Sequence, residues 1–213
     1  MKRREFAAGL AGAGALALPL VGLAQNKPVE GRDYKALGKP ASGDAPAGKV
    51  EVIEFFWYSC PHCNAFEPQL EAWIKQLPPD VVLRRVPVAF RADFVPQQKL
   101  FYTLEALGKL PELHGKVFQA IHQERQPTNR DELILAWAEK NGLDKAKFQE
   151  TYNSFGVSSK VRRAQQLQNE FEVEGVPALG IAGRFYTDGS MAGSMPRALQ
   201  VTDYLIAEAR KAR

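Results

Sequence analysis

Cysteine is scarce: the chain of 213 residues has only two, Cys60 and Cys63, so either can pair only with the other or with a partner's sulfur. A scaffold held by several disulfides is therefore excluded. Histidine is scarce as well, with His62, His114 and His122 as the full set. A structural zinc site usually needs four ligands, and these histidines supply them poorly. His62 lies between the cysteines and cannot easily join them on one metal, while His114 and His122 fall in a later block with no second-site spacing. Charge of one sign is also lacking, since the formal net charge is +4. Residues 1–24 hold three basic residues and one acid, so the chain without them carries +2. That gives no electrostatic reason to expect nucleic acid or an acidic membrane surface as a partner. The pairs Arg84-Arg85 and Arg162-Arg163 are short and read as solvated. There is no internal repeat. Hydrophobic content of 45% and charged content of 24% fit a globular chain, at a length that holds one large domain or a domain with an insertion.

What is present begins with an export signal. Lys2, Arg3 and Arg4 precede a core rich in Gly, Ala and Leu, and Gly22-Leu23-Ala24 forms a small-residue cleavage site. Arg3-Arg4-Glu5-Phe6 resembles a twin-arginine signal, with an ordinary Sec signal as the alternative. An uncleaved anchor over Phe6–Leu23 is disfavoured by four glycines and Pro19. Outside the cytoplasm a cysteine pair can be oxidised and stay so.

Val50 to Tyr58 is apolar on both alternating faces, as in a central strand covered on both sides. Phe66, Leu70, Trp73, Ile74 and Leu77 then recur at helical spacing, which places Cys60 at a helix N-terminus. Free N–H groups and the helix dipole favour negative charge there, and the thiolate is the form that attacks disulfides. Pro68 is expected to kink this helix.

Gln25 to Gly48 reads as a mobile start, with a short edge strand at Tyr34–Leu37. Val81–Val88 is a second strand, and strand–helix–strand predicts a right-handed parallel unit. Helices are expected at Gln97–Leu107, Pro111–Glu124, Arg130–Lys140, Asp144–Ser154 and Ser159–Glu172. Thr128 or Asn129, Asp144 and Ser158 are the candidate N-caps of the last three. Strand signals return at Val176–Ile181 and Phe185-Tyr186, and Pro196–Arg213 closes the chain as an amphipathic helix. The pattern is α/β, with a sheet domain interrupted by helices.

A lone Cys-x-x-Cys reads as a redox pair, half of a zinc site or a structural bridge. So short a loop removes little unfolded-state entropy, and a stapling bridge has no need of a strand-to-helix turn, so the redox reading is preferred. Glu54 shares a strand face with Val52 and Phe56 in an otherwise buried run. Burial raises the pKa of a carboxyl, and such acids beside a reactive group are functional candidates. Glu54 is a candidate to exchange a proton with Cys63, and a pairing with Arg85 on the neighbouring strand is compatible with that. Pro177 cannot donate to a ladder, which suggests an edge position or a cis peptide; composition alone favours trans.

Cys60-Pro61-His62-Cys63, with Glu54-Phe55-Phe56 upstream and Val176-Pro177 downstream, resembles the DsbA family of periplasmic thiol–disulfide oxidoreductases, over essentially the whole mature chain. The resemblance implies an α/β thioredoxin fold with an inserted α-helical domain. Its divisions are a signal peptide (1–24), a first thioredoxin part (25–92), a helical insert (93–165) and a second thioredoxin part (166–213). It implies Cys60 as exposed nucleophile, Cys63 as buried partner, and Pro61 and His62 as the dipeptide that tunes them. It further implies Glu54 as buried acid with Arg85 beside it, a cis Pro177 facing the cysteines, and Val176 offering its backbone to an incoming peptide. Ala178 departs from the Thr of some members, leaving substrate preference open. The implied activity is disulfide donation to unfolded exported proteins with free thiols. A DsbB-like membrane quinone reductase would reoxidise a periplasmic monomer that uses no cofactor and no metal. The rivals are a disulfide isomerase or reductase, though Gln25–Lys49 is too short for the dimerisation domain of periplasmic isomerases. A peptide-binding chaperone is the other, with Trp57, Tyr58 and Phe90 lining its groove.

Overall fold

The computed structural model describes residues 27–43 and 46–211. The expected signal peptide, 1–24, lies outside the described residues. No helix among the described residues is long and apolar enough to cross a membrane.

Five strands form one mixed sheet: β1 (Lys35–Ala36), β2 (Val50–Phe56), β3 (Val81–Pro87), β4 (Ala178–Ile181) and β5 (Phe185–Asp188), in the order β1-β5-β4-β2-β3. The apolar run of β2 does what its composition demands and lies inside the sheet with every residue buried. It pairs parallel with β3, placing Glu54 opposite Arg85, and antiparallel with β4, placing Glu54 opposite Leu179. Helix α1 (Pro61–Ile74) makes the crossover from β2 to β3 and runs on through Pro68.

Between β3 and β4 the chain makes a 3-10 turn (Ala92–Phe94) and five helices: α2 (Val95–Ala106), α3 (Leu110–His122), α4 (Asp131–Lys140), α5 (Lys145–Tyr152) and α6 (Phe155–Glu170). A short α7 (Gly189–Ala192) and the long α8 (Met195–Lys211) close the fold. The alternation of β2 sorts its side chains between two cores. Val50 and Val52 pack with Phe66 and Leu70 of α1 and Leu205 of α8. Ile53 and Phe55 join the core of the helical block, with Leu100, Val117, Trp137 and Leu167. Glu54 lies two residues after Val52, on the α1 side.

Two expected caps move. Asp144 caps α5, its carboxylate accepting from Lys147 N. The residue before α4 is Arg130, not Thr128 or Asn129, because Thr128 is buried and its hydroxyl accepts from Gln97 Nε2 at 3.0 Å. Ser154, not Ser158, caps α6 by accepting from Val157 N, so that helix starts a turn earlier and runs on across 165/166. The loop before β2, expected to be mobile, is pinned at Ala41 and Ser42. Ala41 N donates to Gly183 O at 2.7 Å, Ser42 N donates to the Glu170 carboxylate at 2.9 Å, and Arg163 donates to Ser42 O at 2.7 Å. The basic pairs are therefore not simply solvated: Arg163 holds this strap, and Arg84 lies 3.0 Å from Glu51.

Phe171, just past α6, presses on Gly180 of β4 so closely that a Cβ there would lie 2.4 Å from its ring. The sheet and the helical block meet at this point. Gly180→Ala is expected to destabilise by about 1–3 kcal/mol through overpacking, read as a fall in the urea midpoint. An unchanged midpoint would mean that Phe171 has room to move.

Candidate active site

Cys60 is the N-cap of α1, with Pro61 in the first turn where its missing N–H costs no helix bond. The Cys60 backbone is extended, and its Sγ lies 3.3 Å from the Cys63 amide, which donates to it. Both cysteines are free thiols. Cys63, one helical turn on, faces inward with 0% exposure, while Cys60, expected to be exposed, is itself largely covered and keeps only 7%, with Val176 O 3.4 Å from its sulfur. These environments drive the two sulfurs apart. The Cys63 thiol donates to the Cys60 sulfur, and the amides of Cys63 and His62 and the charge of His62 add to that, against a burial penalty. Together they lower the Cys60 pKa from 9.0 to about 6. Burial first, then the hydrogen bond and charge at Cys60, push the Cys63 thiol far up. At pH 7 Cys60 is then about 90% thiolate while Cys63 keeps its proton. His62 itself is exposed beside this sulfur.

Val176 and Pro177 complete the front. The Val176–Pro177 peptide is cis, and the Cys60 thiol lies 3.4 Å from Val176 O. Of the two readings offered for Pro177 the cis peptide is the one found, and β4, which it precedes, is an interior strand. His62, Gly175, Val176, Pro177, Asp188 and Met195 line a cleft of about 280 Å³.

Glu54 is fully buried, close enough for its charge to act on Cys63, and desolvation raises its pKa from 4.5 to about 8 against the pull of Arg85. Arg85 lies with Nε 3.1 Å from Glu54 Oε2. The same guanidinium donates to Glu67 Oε1 at 2.7 Å and to Glu71 Oε1 at 2.6 Å. The sequence reading found Glu54 and Arg85 but missed Glu67 and Glu71. A signal was available: residues 63, 67 and 71 repeat every four, which puts both acids on the helix stripe of the buried thiol.

The turn carrying Cys60 is held from the helical block, which the sequence did not disclose. Tyr58 is not a groove residue: it is fully buried, and its hydroxyl lies 2.8 Å from His114 Nδ1. His122 Nε2 donates to Tyr58 O at 2.8 Å, and Gln97 Nε2 donates to Ser59 Oγ at 2.7 Å. Trp57 stacks flat on Phe94, ring centroids 3.8 Å apart, and Phe90 remains exposed at the edge of that pair. His114 and His122 thus serve the turn from separate positions.

Proline in place of His62 would remove both its amide and its imidazole, two of the contributions that lower the Cys60 pKa. His62→Pro is expected to raise that pKa by about one pH unit, read from thiolate absorbance against pH. The sign follows: a depressed thiol pKa favours the reduced form most above the ordinary thiol range, and the benefit fades as pH falls through about 6. The variant should therefore be a weaker oxidant at neutral pH, and an unchanged titration would refute the role of His62.

A helix-capping thiolate, a buried second thiol and a cis-proline facing them, on a strand–helix–strand unit, define a thioredoxin-fold thiol–disulfide oxidoreductase. The model of the DSBA-like thioredoxin domain matches residues 51–199. The thiol:disulfide interchange protein DsbA of Burkholderia cepacia is 41% identical over 188 residues, covering 87% of this chain and 89% of the relative. The protein of that name from Bordetella parapertussis is 45% identical over 181 residues, covering 84% and 86%. The crystal structure of Pseudomonas aeruginosa DsbA superposes with a TM-score of 0.81 at 38% identity, covering 85% of this chain and 94% of that one. The chain belongs to the DsbA family, with its thioredoxin fold, its inserted helical region and its oxidoreductase chemistry on protein thiols.

Proposed function

We propose that the protein acts in the periplasm as a dithiol oxidase, donating a Cys60–Cys63 disulfide to newly exported, unfolded proteins. A substrate thiolate attacks Cys60 Sγ, the Cys60–Cys63 bond breaks, and Cys63 leaves and takes up a proton, for which the buried Glu54, whose charge acts on Cys63, is the donor. A second substrate thiolate then attacks the substrate sulfur of the mixed disulfide and releases Cys60 as a thiolate. The substrate loses two electrons and two protons, the cysteine pair gains two electrons, and no cofactor takes part. The observation that carries this reading is the depressed pKa of Cys60 beside a protonated Cys63, because a stabilised thiolate favours the reduced protein.

In this reading Val176 pairs its backbone with the substrate chain and Pro177 keeps that edge against the sulfurs. Residues 25–92 and 166–213 form the thioredoxin-fold body around the insert at 93–165, and 1–24 is the export signal. A DsbB-like membrane quinone reductase restores the disulfide of a monomer. The relatives' name, thiol:disulfide interchange protein DsbA, supports disulfide exchange as the chemistry.

The test is the equilibrium potential of the Cys60/Cys63 couple in a glutathione buffer. A potential well above the roughly −270 mV of thioredoxin supports donation. One in the thioredoxin range would make the protein a reductase.

A further inference from the structure

Behind the dithiol, one guanidinium meets three carboxylates: Arg85 contacts Glu54, Glu67 and Glu71. With all three ionised the cluster would hold excess negative charge around a residue that has no exposure. Charge without full compensation is costly there, so one carboxyl keeps a proton. Glu71 is the poorest candidate, because its side chain is 47% exposed and water stabilises its charge. Glu54 and Glu67 remain.

Their surroundings differ in one respect. Neither oxygen of Glu54 accepts an aligned hydrogen bond, although Arg85 Nε lies close. Glu67 Oε1 accepts from Arg85 Nη2, and His114 Nε2 lies 3.4 Å from it in a close polar contact that is not an aligned hydrogen bond. The imidazole is itself buried, and its other nitrogen, Nδ1, lies 2.8 Å from the Tyr58 hydroxyl. A buried tyrosine keeps its phenolic proton, and among the described residues its acceptor is Nδ1; with Nδ1 accepting, the ring proton is left on Nε2. This arrangement selects the Nε2–H tautomer of His114 and brings that polar N–H within 3.4 Å of Glu67.

We propose that His114 is a positioning residue that assigns the proton shared by these carboxylates to Glu54: by holding Glu67 ionised, it leaves the carboxyl beside Cys63 as the one that binds it. The groups facing Glu54 from each packed element are Arg85 on β3, Cys63, Glu67 and Glu71 on α1, and Tyr58 in the turn after β2; His114 on α3 reaches it through Glu67. The directions of titration agree: burial raises the proton affinity of Glu67, but His114 and then Arg85 and Glu71 outweigh it and leave it lowered, while burial dominates at Glu54 and raises it. Only the functional consequence rests on Glu54 as proton partner of Cys63. The placement of the proton stands apart from it.

The experiment is a carbon-13 titration of glutamate carboxyls in the full reduced chain, with Glu54→Gln and Glu67→Gln to assign the signals. In the unaltered protein Glu54 should titrate above the ordinary carboxyl range and Glu67 below it. In His114→Leu the Glu67 midpoint should rise and that of Glu54 fall, each by about tenfold in proton affinity. His114→Gln, whose amide can donate to Glu67, should return both most of the way. Unmoved midpoints in His114→Leu would overturn the proposal. So would a nitrogen-15 spectrum of the unaltered protein placing the His114 proton on Nδ1, a measurement that needs no variant to fold. Midpoints that move as expected while the pH profile of peptide oxidation stays put would support the placement and remove Glu54 from the chemistry of Cys63.

Discussion

Cys60→Ser is expected to abolish disulfide donation, with at least a thousandfold loss in the oxidation rate of a dithiol peptide and no mixed disulfide formed. The remaining cysteine cannot substitute. Cys63 has no exposure, and burial holds its proton in place far above neutral pH. Cys63→Ser should behave differently. It keeps the Cys60 thiol and forms a mixed disulfide with an activated single-thiol substrate, and that bond persists because neither Cys63 nor a second substrate thiol is there to break it. The pair of variants therefore separates Cys60, the sulfur that bonds to substrate, from Cys63, its intramolecular partner, by mass spectrometry of the trapped species. A Cys60→Ser protein that still supported oxidative folding in cells would instead favour a chaperone that binds without turnover.

The elements around this chemistry were legible because local signals and burial agree. The unbroken apolar run of β2 needed a covered strand, and Cys-Pro-His-Cys followed by helical spacing needed a helix starting at Cys60. The parallel β2–β3 pairing was legible from the strand–helix–strand order, and its register in the structure puts Glu54 opposite Arg85. Less could be read where the partner is distant in sequence. Thr128 looks like a helix cap until Gln97, 31 residues away, takes its hydroxyl. Tyr58 looks like a groove residue until His114, 56 residues away, takes its phenol. Such contacts depend on how the helical block docks onto the sheet, and no periodicity encodes that. Glu67 and Glu71 are an intermediate case. Their spacing from Cys63 was visible, but charged residues on a helix ordinarily face water, and only the docking of α3 closes that face.

The Arg85 cluster gives the second large effect. Arg85→Met preserves the length and much of the volume of the side chain but removes the cation from three carboxylates. Taking away one partner of a buried ion pair costs about 3–5 kcal/mol, since the other charge stays uncompensated. The loss should depend on pH. Glu67 has a depressed pKa, so its contribution is present above the ordinary carboxyl range and is lost as pH falls through its folded value. Glu54 has the opposite sign: its raised pKa means that stability declines as pH climbs toward about 8, and without Arg85 that decline steepens. Both terms widen the gap between the unaltered protein and Arg85→Met at high pH and close it in acid. Urea unfolding at pH 4 and pH 8 should show the larger difference at pH 8, with Arg85→Lys in between because it keeps the charge and loses the fork. An equal difference at both pH values would mean that the Arg85 stem, not its charge, holds the cluster together.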